Sequence, residues 1–153
     1  MQAISKFFTI KRTIVIVLAL FLILNVIWYI FTTQRYGPFV EAVPLNGMGI
    51  HYIEKDGYSY SVKKPDYLYY TGNLAVNHPD HKNSLIIWPE VNGEYTLGFR
   101  LQENEEAFEI YLDENMSPLE EYEESDIASQ KVKEHQKEIN DLMSKADEMW
   151  DIR

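Results

Sequence analysis

Hydrophobic and polar positions follow three rhythms along this chain, and each predicts a different kind of element. From Thr13 to Phe31 polar positions almost vanish: nineteen residues pass without a charge, and Asn25 is the only amide. At 1.5 Å per residue a helix of that length covers close to the ~30 Å hydrocarbon core of a bilayer. The run is longer than a secretory h-region, and no small-residue cleavage site follows it, so the pattern predicts an uncleaved signal anchor. Residues 32–49 break the pattern. Gly37, Pro38, Pro44, Asn46, Gly47 and Gly49 punctuate this stretch, which reads as a connector, with 39–43 as a short edge strand ended by Pro44.

Period two takes over next. Tyr58, Tyr60 and Val62 alternate with Ser59, Ser61 and Lys63, and Asp56-Gly57 before them signals a hairpin from 50–55 into 58–63. Further strands are expected at 67–70 and 73–77, around a turn or bulge at Thr71-Gly72, and at 85–90. Asn92-Gly93 marks a second hairpin. Tyr95, Leu97, Phe99 and Leu101 then give the cleanest alternation in the chain, and 107–112 closes the set. Loops this short imply an antiparallel meander of about six strands, because parallel pairs need long crossovers. A curved sheet or half-barrel fits this pattern.

The third rhythm is helical. Ser117-Pro118-Leu119-Glu120 reads as a capping box with proline at the first helical position. Ala128, Val132, His135, Ile139, Leu142, Ala146 and Met149 then recur at spacings of four and three, which predicts one apolar stripe. A break near Ser125-Asp126, itself a capping pair, is the alternative. The fold class is therefore α+β. The expected order is a basic tail at 1–12, the anchor at 13–31, the connector at 32–49, a β domain at 50–116 and a helix at 117–153.

Charge gives this layout a direction. Lys6, Lys11 and Arg12 precede the apolar run and only Arg35 follows it closely, so the N-terminus is expected in the cytoplasm and the remainder outside. Residues 32–153 hold 11 Lys plus Arg against 24 Asp plus Glu, and eleven of those acids fall between Glu103 and Asp126 without a base. Such a surface repels phosphate backbones and argues against nucleic-acid binding. The chain has no cysteine, which excludes disulfides, thiolate metal sites and a cysteine nucleophile. Lack of disulfides in an exported domain points to a bacterial cell surface.

Candidate chemistry is sparse. No nucleophile elbow, zinc-protease pair or phosphate loop is present, so no catalytic residue and no cofactor is assigned. His78-Pro79-Asp80-His81 packs two imidazoles and a carboxylate into four residues, and His78, Asp80 and His81 are candidate metal ligands. The competing reading is an ordinary polar turn, because no distant ligand has a recognisable spacing. His51 is a further donor on a neighbouring strand, and His135 reads as a packing residue. Asp113 to Glu124 mimics a calcium loop, but Pro118 stands where that loop needs glycine. The tyrosines at 52, 58, 60, 67, 69 and 70 could form a ligand platform, against the ordinary reading of sheet core.

These patterns lead to a membrane-anchored, extracytoplasmic, non-enzymatic accessory protein that meets an envelope partner. Tyr58, Tyr60, Trp88, Ile139, Leu142 and Trp150 are the candidate contact residues. One alternative is a ligand- or metal-binding sensor or enzyme subunit built on the His78/Asp80/His81 loop. Another is a homo-oligomer assembled through the C-terminal helix.

Overall fold

The computed structural model describes residues 2–47, 49–66, 71–103, 106–119 and 126–153, with side chains from Lys11 onward. It contains a helix α1 (Gln2–Ala42), strands β1 (His51–Lys55), β2 (Tyr58–Lys63), β3 (Asn73–Asn77), β4 (Asn83–Pro89), β5 (Tyr95–Glu103) and β6 (Glu106–Leu112), and a helix α2 (Asp126–Trp150). The chain divides into two units, residues 1–35 and 36–153.

In the first unit, α1 presents its apolar side chains outward. Between Ile14 and Ile30 every Val, Leu and Ile, together with Phe21 and Tyr29, is exposed. The stretch Lys11–Ala42 is long and apolar enough to cross a membrane, and none of its most apolar window is buried. Asn25 donates to the Phe21 carbonyl one turn back at 2.7 Å, so its amide is satisfied within its own helix.

The second unit is a meander with strand order β1-β2-β3-β4-β5-β6, every neighbour antiparallel. The sheet is not closed into a barrel. The register aligns Tyr60, Val76, Leu85, Phe99 and Ile110 across five strands, and all five are buried on one face. Alternation then puts Ser59, Asn77, Ser84, Arg100 and Glu109 in a row on the other face. Val132, Ile139, Leu142, Met143, Ala146 and Trp150 of α2 complete the core over the apolar face. Each large side chain buried fully here contributes about 1.5–3 kcal/mol. Tyr60 and Trp150 meet edge to face with centroids 5.8 Å apart, which fixes the end of α2 on β2.

Three stretches differ from the sequence reading. The stretch 32–42, read as a connector ending in an edge strand, is helical. Pro38 sits inside α1 and leaves one carbonyl without its partner, at a usual cost of ~3 kcal/mol. Tyr36, Phe39 and Val43 offset that cost: they recur at helical spacing and bury fully in the core. The sheet edge is met instead by Leu45, which bridges to His51. The second difference lies at Pro118, which is not the first residue of a helix. Leu112 bridges to Pro118, and the Leu119 N–H donates to the Tyr111 carbonyl at 3.0 Å. Asp113 holds the intervening turn by accepting from the N–H groups of Asn115 and Ser117, both at 2.8 Å. The described part of the calcium-like loop, 113–119, is thus an Asx turn followed by a short bridge. Third, residues 117–119 are not helical, and the described part of the C-terminal helix starts at Asp126, where the alternative reading placed a break. The expected strand at 67–70 and residues 120–125 lie outside the described residues.

Candidate functional site

A polar seam runs along one flank of α2, beside its apolar stripe. Lys131, His135, Glu138, Asp141 and Lys145 recur at spacings of three and four, so one helical flank carries them all. Each reaches a side chain at the rim of the sheet or a neighbour on α2. Lys131 pairs with Glu103 at the end of β5. His135 places Nε2 3.2 Å from Glu103 Oε1 and Nδ1 3.1 Å from Glu138 Oε2, with its ring against Phe99. Asn83, at the start of β4, donates Nδ2 to both Glu138 oxygens, at 2.9 and 3.0 Å. Further along, the Tyr58 hydroxyl donates to Asp141. That bond, with burial and the Asp141 charge adding to it, pushes the phenol up to about 12.

The β3–β4 hairpin turn brings its own groups to the same place. The His78 N–H donates to the Asn83 carbonyl and the His81 N–H to the His78 carbonyl, both at 2.9 Å, which closes the turn. His81 takes a left-handed φ of 57° to do so. Asp80 Oδ1 accepts from the Lys82 N–H at 3.0 Å. That backbone bond, with His78 beside it, holds the Asp80 carboxyl below the usual range. The His78 ring meets Tyr58 edge to face at 5.9 Å. Its Nδ1 stands 3.1 Å from Asp80 Oδ1 and 3.7 Å from Glu138 Oε1.

Donor atoms of His78, Asp80 and Glu138 thus all lie within 4.8 Å of one another. This corrects the candidate set read from the chain. His78 and Asp80 come together, but His81 is absent from the cluster, and the third member is Glu138 on α2. His51 is not a member either: its Nδ1 lies 2.9 Å from the Val43 carbonyl oxygen, and a carbonyl can only accept. Sequence reasoning missed Glu138 because 58 residues separate it from Asp80 and only the packing of α2 on the sheet joins them. The one available signal was the polar flank beside the apolar stripe.

The candidate contact residues separate in the same way. Tyr60, Ile139, Leu142 and Trp150 are buried, so packing within the chain uses the surfaces that were read as contacts for a partner. The stripe on α2 is likewise covered by its own sheet. Tyr58 and Trp88 are half-buried. Trp88 lies on the outer face of the sheet with its ring 5.5 Å from Tyr111. No family model, curated protein or solved structure matches the chain.

Proposed function

We propose that this is a bacterial, single-pass membrane protein whose C-terminal domain works outside the cell membrane as a non-enzymatic accessory, by contact with another envelope protein. The observation that carries this reading is the charge-free, exposed apolar surface of α1 from Ile14 to Ile30, which water would not tolerate on a soluble domain. Lys11 and Arg12 at its start favour a cytoplasmic N-terminus, which puts residues 36–153 outside. Tethering confines the domain to the membrane surface and raises the effective concentration of a membrane-bound partner, so a small interface suffices. Trp88 and Tyr111, the aromatic pair on the outer face, are the best-placed contact groups, because aromatic rings are enriched at such interfaces.

The test is photo-crosslinking in native membranes from a reactive amino acid at position 88 of the full chain. One dominant membrane-protein adduct, lost when the reactive group is moved to a buried position such as 139, is the expected result. An adduct pattern identical at both positions counts against the contact surface. Accessibility of a C-terminal tag to protease added outside intact cells tests the orientation separately, and a shielded tag rejects it.

A further inference from the structure

We infer that His78, Asp80 and Glu138 form a binding site for one divalent transition-metal ion of the zinc class, which clasps α2 to the β3–β4 hairpin. The inference goes beyond the accessory role and does not depend on it. Three observations support it.

The first is spacing. Donors held about 2.0–2.1 Å from a tetrahedral zinc ion lie about 3.3 Å from one another. The 3.1 and 3.7 Å separations from His78 Nδ1 to the two carboxylates bracket that edge. The second is unmet bonding. The Nδ1 of His78 is buried and makes no hydrogen bond of good geometry, although Asp80 Oδ1 and Glu138 Oε1 stand beside it at ion-pair distance. Buried polar atoms rarely remain orphaned, so this nitrogen, faced by two carboxylates, is placed to bind a cation between them. The third is charge and donor type. A neutral imidazole with two carboxylates offers a net charge of −2 to a dication. One nitrogen and few oxygens suit zinc-class ions rather than calcium, which takes six to eight oxygens.

Support around the ligands is already in place. The Asn83 amide orients the Glu138 carboxylate, and the Lys82 N–H orients that of Asp80. Such outer bonds hold ligands ready for a metal. Three protein ligands leave one tetrahedral position for water or for a group from a partner.

Full-length protein in detergent micelles, stripped of metal, would be titrated with zinc by calorimetry and with cobalt by visible absorption. Expected are one equivalent bound, tetrahedral cobalt bands, and a rise in melting temperature with zinc. His78→Ala and Glu138→Gln should each weaken zinc binding by at least about tenfold and abolish the melting shift. His81→Ala, in the same turn but outside the cluster, should stay within about twofold of the parent. Should His78→Ala fail to fold, Asp80→Asn, which keeps an acceptor for the Lys82 N–H, takes its place. Equal zinc affinity in the parent and Glu138→Gln, or equal loss in His81→Ala and His78→Ala, overturns the site.

Discussion

Two glycines set the tolerance of this fold at the residue scale. A Cβ on Gly98 would fall 2.7 Å from the Trp88 ring, so this glycine leaves the space that the indole occupies on the outer face. A Cβ on Gly72 would fall 2.4 Å from the Lys63 carbonyl oxygen and 2.7 Å from the Tyr36 ring. Backbone yields less readily than a side chain. Gly98→Ala should therefore cost about 1–3 kcal/mol, the usual range for overpacking, and change the near-ultraviolet dichroism of Trp88. Gly72→Ala should cost more, by denaturant titration of the full chain in micelles. If Gly98→Ala proves the more damaging, the close approach at Gly72 is not what the structure describes. The approach of Trp88 to Gly98 was not legible in the chain, because the two are diagonal neighbours on adjacent strands, Gly98 lying opposite Ile86 and Trp88 opposite Thr96. The alternation that puts Gly98 opposite to Leu97 and Phe99 was legible; the facing of Trp88 in the unbroken run Leu85-Ile86-Ile87-Trp88 was not.

Among elements, the attachment of α2 to the sheet decides most of the behaviour. Ile139 is fully buried, so Ile139→Ala should destabilise by about 2–5 kcal/mol. The same variant should leave the sedimentation of the micelle-bound chain unchanged, because its surface is already spent on the sheet. A shift to a smaller species would instead support assembly through α2. The Glu103–Lys131 pair links β5 to the start of α2 and gives a pH signature. Lys131 is the first cause, with His135 next, of a Glu103 carboxyl held below its usual range. Glu103 in turn holds the Lys131 ammonium above its usual range. A depressed carboxyl contributes stability above the ordinary carboxylate range, and loses it as pH falls through its folded value. A raised ammonium contributes below its ordinary value, and loses it as pH rises through the folded one. Lys131→Met should thus flatten both the acid and the alkaline limbs of melting temperature against pH. High salt should do the same to the parent protein, because charges that keep part of their surface in water are screened. Limbs of unchanged steepness would show that the pair contributes nothing.

Taken as a whole molecule, the chain joins an apolar helix, long enough to cross a membrane, to an acidic β domain, and the proposed location rests on that helix. An arginine at the middle of a span costs about 2.5–3.5 kcal/mol on insertion. Leu22→Arg should therefore move a measurable fraction of the protein from the membrane pellet to the soluble fraction on gentle extraction. Val91→Arg, at an exposed position outside α1, should not. Equal partition of the two variants would remove the basis for a membrane anchor.

Much of this was determined by the sequence alone, because the forces involved are local. A charge-free run of nineteen residues excludes itself from water wherever it sits, period-two alternation makes one face of a strand apolar, and Asp-Gly and Asn-Gly turn tightly in any context. These gave the long apolar helix, the meander and the apolar stripe of α2. Tertiary structure decided whatever depends on distant groups meeting. Burial of Tyr36, Phe39 and Val43 carried α1 through Gly37-Pro38, against local propensity. Packing of α2 on the sheet drew Tyr60, Leu142 and Trp150 into the core, and brought Glu138 to His78 and Asp80. A side chain's neighbours along the chain are fixed by covalent bonds, whereas its neighbours in space are chosen by whichever surfaces lose most water together.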